Sequence, residues 1–342
     1  LVYAPSRFAD PDELVALASA ARDAGGARYV THLRNEGDAL LEAVGEAVEI
    51  GRRADVAVQC SHHKAWGKPN WGKVHRSLAA IDRARSRGQR VYADVYPYVA
   101  AWTDLTTLLR EPALDGGRAQ ILARLRDPAH AAAIGLLLEL DHAGEWHDIR
   151  ITSVAGDRNA AVVGMRIDEL ARWWSLPPAR AVIRLLVEEE LDVEALFFAM
   201  NEDDVATVLS AEFVCVGSDA SAIAVDGPTA RGLPHPRAFG CFPRVLSRFV
   251  RGRKTLALPE AIRRMTALPA EIFGLRDRGR VAVGAYADLV LFDPERIVDT
   301  ATYERPFAYP HGIAGVWVNG VRALRDGAQT PARAGRVLRH GG

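Results

Sequence analysis

No stretch of the chain approaches the ~20 consecutive apolar residues that a membrane-spanning helix needs, so it offers no helical membrane anchor. No charge of one sign prevails either. Lysine plus arginine and aspartate plus glutamate both number 43, for a net charge of zero, which removes the electrostatic case for nucleic acid or an anionic membrane surface. Cysteine is scarce: Cys60, Cys215 and Cys241 are too few and too scattered for a disulfide framework, which suits a reducing, cytoplasmic compartment. Internal repeats and low-complexity segments are also absent. The 342 residues suffice to bury a large core, in one big domain or two smaller ones.

What is present is an alternation of helix and strand periods. Asp10 followed by Pro11 gives an N-cap and a proline at the first helical position, and the alanine-rich stretch to Ala24 continues as an amphipathic helix stopped by Gly25 and Gly26. A strand over 28–32 follows. Gly37 to Arg52 is expected as a helix with Leu41, Val44, Ala47 and Val48 on one face; then come a strand over 56–61, a helix over 72–87 and a strand over 91–95. This βα order predicts a parallel sheet. From about 110 to 210 the pattern is mainly helical, an expected insertion outside that sheet, with short strands over 149–154 and 196–200. The last strand of the parallel set is expected at 213–218, followed by a Gly- and Pro-rich loop over 220–236 long enough to be an active-site element. After a helix over 259–273 the texture changes to short strands at 287–292, 313–318 and 321–324, the last two joined by an Asn319-Gly320 hairpin turn.

Three of the apolar runs end in a residue able to do chemistry. His32 closes Tyr29-Val30-Thr31, His62 closes Val58-Gln59-Cys60-Ser61, and Asp219 closes Val214-Cys215-Val216-Gly217-Ser218. An apolar run ending in one polar residue fits an inner strand of an α/β barrel, where catalytic groups sit at the C-terminal strand ends. Two histidines and a carboxylate can converge on one metal, and such nitrogen and oxygen ligands suit Zn²⁺, which lowers the pKa of bound water to about 7. Taken singly, each histidine is explained as well by a hydrogen bond, and Asp219 by a turn or an N-cap. His63 is adjacent to His62 and falls on the opposite face of an extended chain, outside the ligand set.

The segments Thr31-His32-Leu33-Arg34-Asn35-Glu36-Gly37, Ser61-His62-His63-Lys64, Tyr96-Pro97-Tyr98, Gly217-Ser218-Asp219 and His235-Pro236-Arg237, in this order, resemble the N-acyl-D-amino-acid deacylases (D-aminoacylases) of the amidohydrolase superfamily. So does the tail, with Met265-Thr266-Ala267-Leu268-Pro269-Ala270, Gly284-Ala285-Tyr286-Ala287-Asp288-Leu289-Val290 and Val318-Asn319-Gly320. The resemblance implies a TIM-like metal-dependent hydrolase barrel over 1–274, interrupted by the insertion, and the C-terminal part of a small β-sandwich domain over 275–342. It implies hydrolysis of a small-molecule N-acyl-D-amino acid, with His32 and His62 as zinc ligands and Asp219 as the proton-transfer residue. The substrate carboxylate would meet Arg237, assisted by Lys64, with Tyr96 and Tyr3 offering phenol hydroxyls. Arg34 and Glu36 would orient a ligand.

Two features of the family are missing. Its members carry a His-x-His or His-x-Asp pair at the first barrel strand and a further ligand, Cys in the deacylases, at the fourth; the chain has neither and begins at Leu1. The resemblance therefore implies an incomplete barrel whose N-terminal strands lie upstream, and a chain that by itself does not hydrolyse these substrates. Trp102 stands where the family usually offers a serine, and the loop between Asp219 and Arg237 is longer than usual. A cyclic amidase of the dihydroorotase or hydantoinase kind, and an inactive fragment with a binding role, are the competing readings.

Overall fold

The computed structural model of the chain describes residues 1–26 and 28–338. Residues 339–342 of the expected second unit lie outside this range. Helix α1 (Pro11–Asp23) starts where Asp10 caps it, its Oδ1 accepting from the Asp12 N–H at 2.7 Å, with Pro11 at the first position. Strand β1 (Arg28–Thr31), helix α2 (Leu40–Ala54), strand β2 (Ala57–Cys60), helix α3 (Val74–Ser86) and strand β3 (Val91–Val95) follow in the expected order. The core face of α2 is turned slightly from the expected one. Leu40, Val44, Ala47 and Ile50 are buried, and at Gly51 an added Cβ would lie 2.1 Å from Val58 Cγ2, so helix and strand pack in contact there.

The next segment departs from the expected helical insertion. Strand β4 (Ala101–Asp104) was not foreseen, and it pairs with β6 (Val193–Phe197), which in turn pairs with β5 (Ile149–Val154) in an antiparallel three-stranded sheet of order β4-β6-β5. Strand β6 lies a few residues earlier than the expected 196–200 because Phe197 pairs with Ala101 and Ile149. Between these strands run α4 (Gly117–Arg126), α5 (Pro128–His142), α6 (Ile167–Trp174) and α7 (Pro178–Glu188). Insertion helices and sheet share one core, in which Ile151, Ala195, Leu185 and Leu186 have no exposed surface.

After α8 (Glu202–Ser210), strand β7 (Val214–Val216) joins β3 and completes a parallel sheet of order β1-β2-β3-β7. Register runs Thr31↔Cys60, Cys60↔Ala93 and Val95↔Val216, which brings the C-terminal ends of all four strands to one edge. Strands β2 and β7 are buried at every residue, as an inner parallel strand requires. Residues 220–236 form a loop without helix or strand, leading into α9 (Arg237–Arg244) and a π-helical continuation, Val245–Gly252. The expected helix over 259–273 divides at Thr266 (φ −134°, ψ −77°) into α10 (Leu258–Met265) and α11 (Ala267–Phe273).

The last strands, β8 (Leu289–Phe292), β9 (Ile313–Val318), β10 (Val321–Arg325) and the unforeseen β11 (Ala328–Gln329), make an antiparallel sheet of order β11-β10-β9-β8. The turn between β9 and β10 has Asn319 and Gly320 at φ 50° and 81°, with Val318 opposite Val321, the two-residue hairpin the dipeptide predicts.

Candidate functional site

The site is built at the edge where the parallel strands end. β1 delivers His32, β2 is followed by His62 and Lys64, β3 is followed by Tyr96, and β7 by Gly217 and Asp219. His32 Nδ1 and His62 Nε2 face each other in direct contact, with ring centroids 4.5 Å apart. Burial, then the neighbouring His62, pushes His32 down to about 4, so its ring is neutral at neutral pH and has a lone pair to offer.

His62 is held from its other side. Glu36 Oε1 lies 2.9 Å from His62 Nδ1 and accepts from Lys64 Nζ at 2.6 Å, while Lys64 Nζ is itself 2.6 Å from His62 Nδ1. Burial works against the Glu36 charge, but Lys64 and then His62 overcome it and hold the carboxyl well below the ordinary carboxylate range. A carboxylate beside the far nitrogen of a histidine helps fix its ring orientation. Of the two residues expected to orient a ligand, Glu36 lies against His62 and Arg34 does not: the Arg34 guanidinium forks onto Glu46, with Nη2 at 2.7 Å, and donates to the Arg7 and Ala9 carbonyls. Lys64 Nζ, expected as a charge for the substrate, is placed between Glu36 and His62 at the strand ends.

A residue that the sequence reading passed over supports the same histidine. Asp94, on β3, accepts from the His62 backbone N–H at 2.8 Å through Oδ1 and from Gln59 Nε2 at 2.6 Å through Oδ2. His62 has φ 38°, uncommon for a residue with a side chain, and this hydrogen bond helps hold it there. Gly217 completes the arrangement, because a Cβ on it would lie 3.0 Å from Asp94 Oδ1. The only trace of Asp94 in the sequence is a carboxylate inside an otherwise apolar strand. His63 turns away, as its position implies, and its Nε2 meets Ser77 Oγ at 2.7 Å in the core.

Asp219 (φ 49°) stands across from the histidines. Its Oδ2 pairs with Arg237 Nη2 at 2.9 Å, and its side chain is 34 % exposed whereas that of Arg237 is 4 % exposed. It is near enough to raise the pKa of His32, though burial dominates there. Among the described residues no group of three or more His, Cys, Asp or Glu side chains is placed to hold a metal.

Arg237 stacks on Tyr96, its Cζ 4.6 Å from the ring centroid, and two of its buried nitrogens, Nε and Nη1, have no hydrogen-bond partner. Burying guanidinium N–H groups unpaired is costly, which marks them as donors awaiting an acceptor. Tyr3 lies edge-on to His32 at 5.2 Å and its hydroxyl meets Thr103 Oγ1 at 2.8 Å. Trp102 donates its indole N–H to Thr152 Oγ1 at 3.0 Å, so it brings bulk but spends its polar atom within the protein.

The family model described as "Amidohydrolase family" matches residues 175–323. The chain belongs to the amidohydrolase family. Among curated relatives of this family member, the N-acyl-D-glutamate deacylase of Alcaligenes xylosoxydans xylosoxydans is 38% identical over 339 residues, 99% of this chain and 59% of the relative. The D-aminoacylase of the same organism is 35% identical over 337 residues, 98% of this chain and 59% of the relative. A solved structure, the N-acyl-D-glutamate deacylase of Bordetella bronchiseptica complexed with zinc and a phosphonate mimic of the tetrahedral intermediate, superposes with a TM-score of 0.79 at 35% identity, over 99% of this chain and 61% of that one. The chain thus spans about three-fifths of the length of the relatives it matches.

Proposed function

We propose that this amidohydrolase carries the histidine pair, the proton-transfer carboxylate and the carboxylate-binding arginine of a zinc-dependent N-acyl-D-amino-acid deacylase, which releases a carboxylate and a D-amino acid. One observation carries the reading: a buried guanidinium with two unsatisfied N–H groups, Nε and Nη1 of Arg237, sits one ion pair away from a carboxylate at the strand ends that also bear two facing imidazoles. The substrate class follows from the acceptor this arginine lacks, since a free N–H on a buried guanidinium is best met by a charged carboxylate oxygen.

The donor set also suits the metal. His32 Nδ1 and His62 Nε2 point at each other, one ring is neutral, and the other is backed by Glu36, the arrangement that histidine ligands adopt. When bound by His32 and His62, Zn²⁺ would supply Lewis acidity to the scissile carbonyl and a lowered pKa to water.

The remaining work falls to the chain's own side chains. Arg237 takes the substrate carboxylate through one of its free N–H groups, at Nε or at Nη1, which orients the amide across the strand ends. Asp219 accepts a proton from the attacking water and returns it to the departing amine nitrogen; its partly exposed position gives it access to both, and its pair with Arg237 aims it. Tyr96 forms the floor under Arg237, and Tyr3 closes the side next to His32. The D preference rests on the deacylases among the relatives, and the same relatives favour an acyclic amide over a cyclic one. Three buried free cysteines suit the cytoplasm, and among the described residues no helix is long and apolar enough to cross a membrane.

The test, in a chain extended upstream to the length of its relatives, is amine release from paired N-acetyl-D- and N-acetyl-L-amino acids, with and without Zn²⁺. Zinc-dependent release from the D series alone supports the proposal. Release from hydantoin or dihydropyrimidine rings instead would transfer the site to the cyclic amidases, and specific binding without turnover would leave a binding protein.

A further inference from the structure

The proposed function assigns nothing to His235, a residue with no exposed surface at the join between the 220–236 loop and α9. Its two nitrogens have fixed and opposite duties. The Arg237 backbone N–H donates to Nδ1 at 2.9 Å, so Nδ1 must be an acceptor, and Nε2 lies 3.0 Å from the Ala100 carbonyl, so it must carry the hydrogen. These partners define the neutral Nε2–H tautomer. Burial, then the cationic Arg237, holds the ring well below its ordinary pKa, in keeping with that assignment.

The ring is enclosed by aromatics as well. Tyr98 meets it edge-on at 4.9 Å, Tyr303 at 5.3 Å, and Tyr96, the ring on which Arg237 stacks, at 6.0 Å. Ala100 lies in the segment that follows Tyr96 and Tyr98, so one imidazole ties that segment to the first residue of α9. Pro236, the residue between, has no N–H with which to make a substitute bond. Arg237 is a long side chain whose free donors are useful only if its backbone and ring platform are both fixed, because a freely rotating arginine loses entropy on binding.

From this we infer that His235 is the positioning residue of the carboxylate site: through its Nδ1 acceptor it sets the start of α9, and so aims a free guanidinium N–H of Arg237 at the substrate carboxylate. The inference rests on the deacylase reading, and the two can fail separately. His235→Asn keeps a side-chain acceptor within reach of the N–H two residues on, as in an Asx turn, whereas His235→Gln keeps a donor toward Ala100 but moves the acceptor away. The readout is the ratio of affinities for N-acetyl-D-leucine and N-acetyl-D-leucinamide, measured by calorimetry on the 342-residue chain beside a melting curve. In the unsubstituted chain the acid should bind at least ~10-fold more tightly than the amide, as charge-assisted hydrogen bonds to a buried guanidinium imply. His235→Gln should lose most of that ratio, and His235→Asn should keep it within about threefold of the unsubstituted value.

An unchanged ratio in His235→Gln, or an equal loss in both variants, overturns the inference. If His235→Gln does not fold, the Asn variant decides: a retained ratio supports the positioning role and a lost ratio overturns it. A chain without substitution that binds the acid and the amide equally well, or neither, overturns the deacylase reading instead, and this inference with it.

Discussion

The parallel sheet β1-β2-β3-β7 and the C-terminal sheet β11-β10-β9-β8 contain the same number of strands and put their polar chemistry to different uses. In the first, β2 and β7 are wholly buried, and polar groups occur at the strand ends or, like Gln59 and Asp94, hydrogen-bonded inside. In the second, Leu289, Val290 and Leu291 are all exposed, and the strands are held by a hairpin turn and the Arg278–Asp288 pair. The contrast teaches that burial makes the site. A carboxylate, an ammonium and an imidazole brought together at low dielectric interact far more strongly than the same groups on a solvated sheet, and only the first sheet provides the walls.

Substitutions can break this comparison, and the largest effect belongs to Asp219, the proposed proton-transfer residue. In a chain extended upstream to the length of its relatives, Asp219→Asn should leave zinc binding intact and lower turnover of N-acetyl-D-amino acids by roughly 10²-fold or more; near-normal turnover in a steady-state assay would remove its role. Next comes Arg237→Lys, which replaces a fork by a point charge and should weaken substrate carboxylate binding by about 10-fold or more with the melting temperature little changed. A third experiment compares the two sheets by stability. Ile81→Ala, at a position with no exposed surface beneath the parallel sheet, should cost about 2–5 kcal/mol in denaturant unfolding. Leu291→Ala, 56% exposed in the C-terminal sheet, should stay within about 0.5 kcal/mol. Equal costs would show that the C-terminal sheet buries this residue in solution.

The smallest expected effect is one of pH. Glu260, hydrogen-bonded first to Arg263 and also to the buried Arg264, has its carboxyl lowered to about 2. A depressed folded-state pKa gives stability that is complete above the ordinary glutamate range and is lost as pH falls toward 2. Because Glu260 is a third exposed, the contribution is screened and modest. Glu260→Gln should flatten the acid limb of a stability–pH curve and leave the neutral limb parallel to that of the unsubstituted chain.

How much of this was legible in the sequence depends on how local the cause was. Strands β1, β2, β3 and β7 announce themselves as short apolar runs between helices, and His32, His62 and Asp219 stand out because each ends such a run. The Asp10-Pro11 start of α1 and the Asn319-Gly320 turn are equally local signals. Strand β4 was invisible because nothing near Ala101–Asp104 marks it; its partner β6 begins about ninety residues later, and only the assembled core supplies the pairing. Arg34 and Glu36 looked alike beside His32, and the fold separates them by giving Arg34 the partner Glu46 from α2. The contact of Lys64 with Glu36 was not legible because the two lie 28 positions apart. Asp94 and His235 act through backbone hydrogen bonds, which no residue pattern displays.

The most direct test of the claim that the strand ends hold a metal is a zinc titration by calorimetry, checked by elemental analysis, of the chain and of His32→Ala and His62→Ala. The facing imidazoles predict zinc binding that either substitution abolishes, with Glu36→Gln weakening it by about 10- to 100-fold through loss of the group that orients His62. Zinc binding that survives both histidine substitutions unchanged would contradict the assignment and move the metal away from the strand ends.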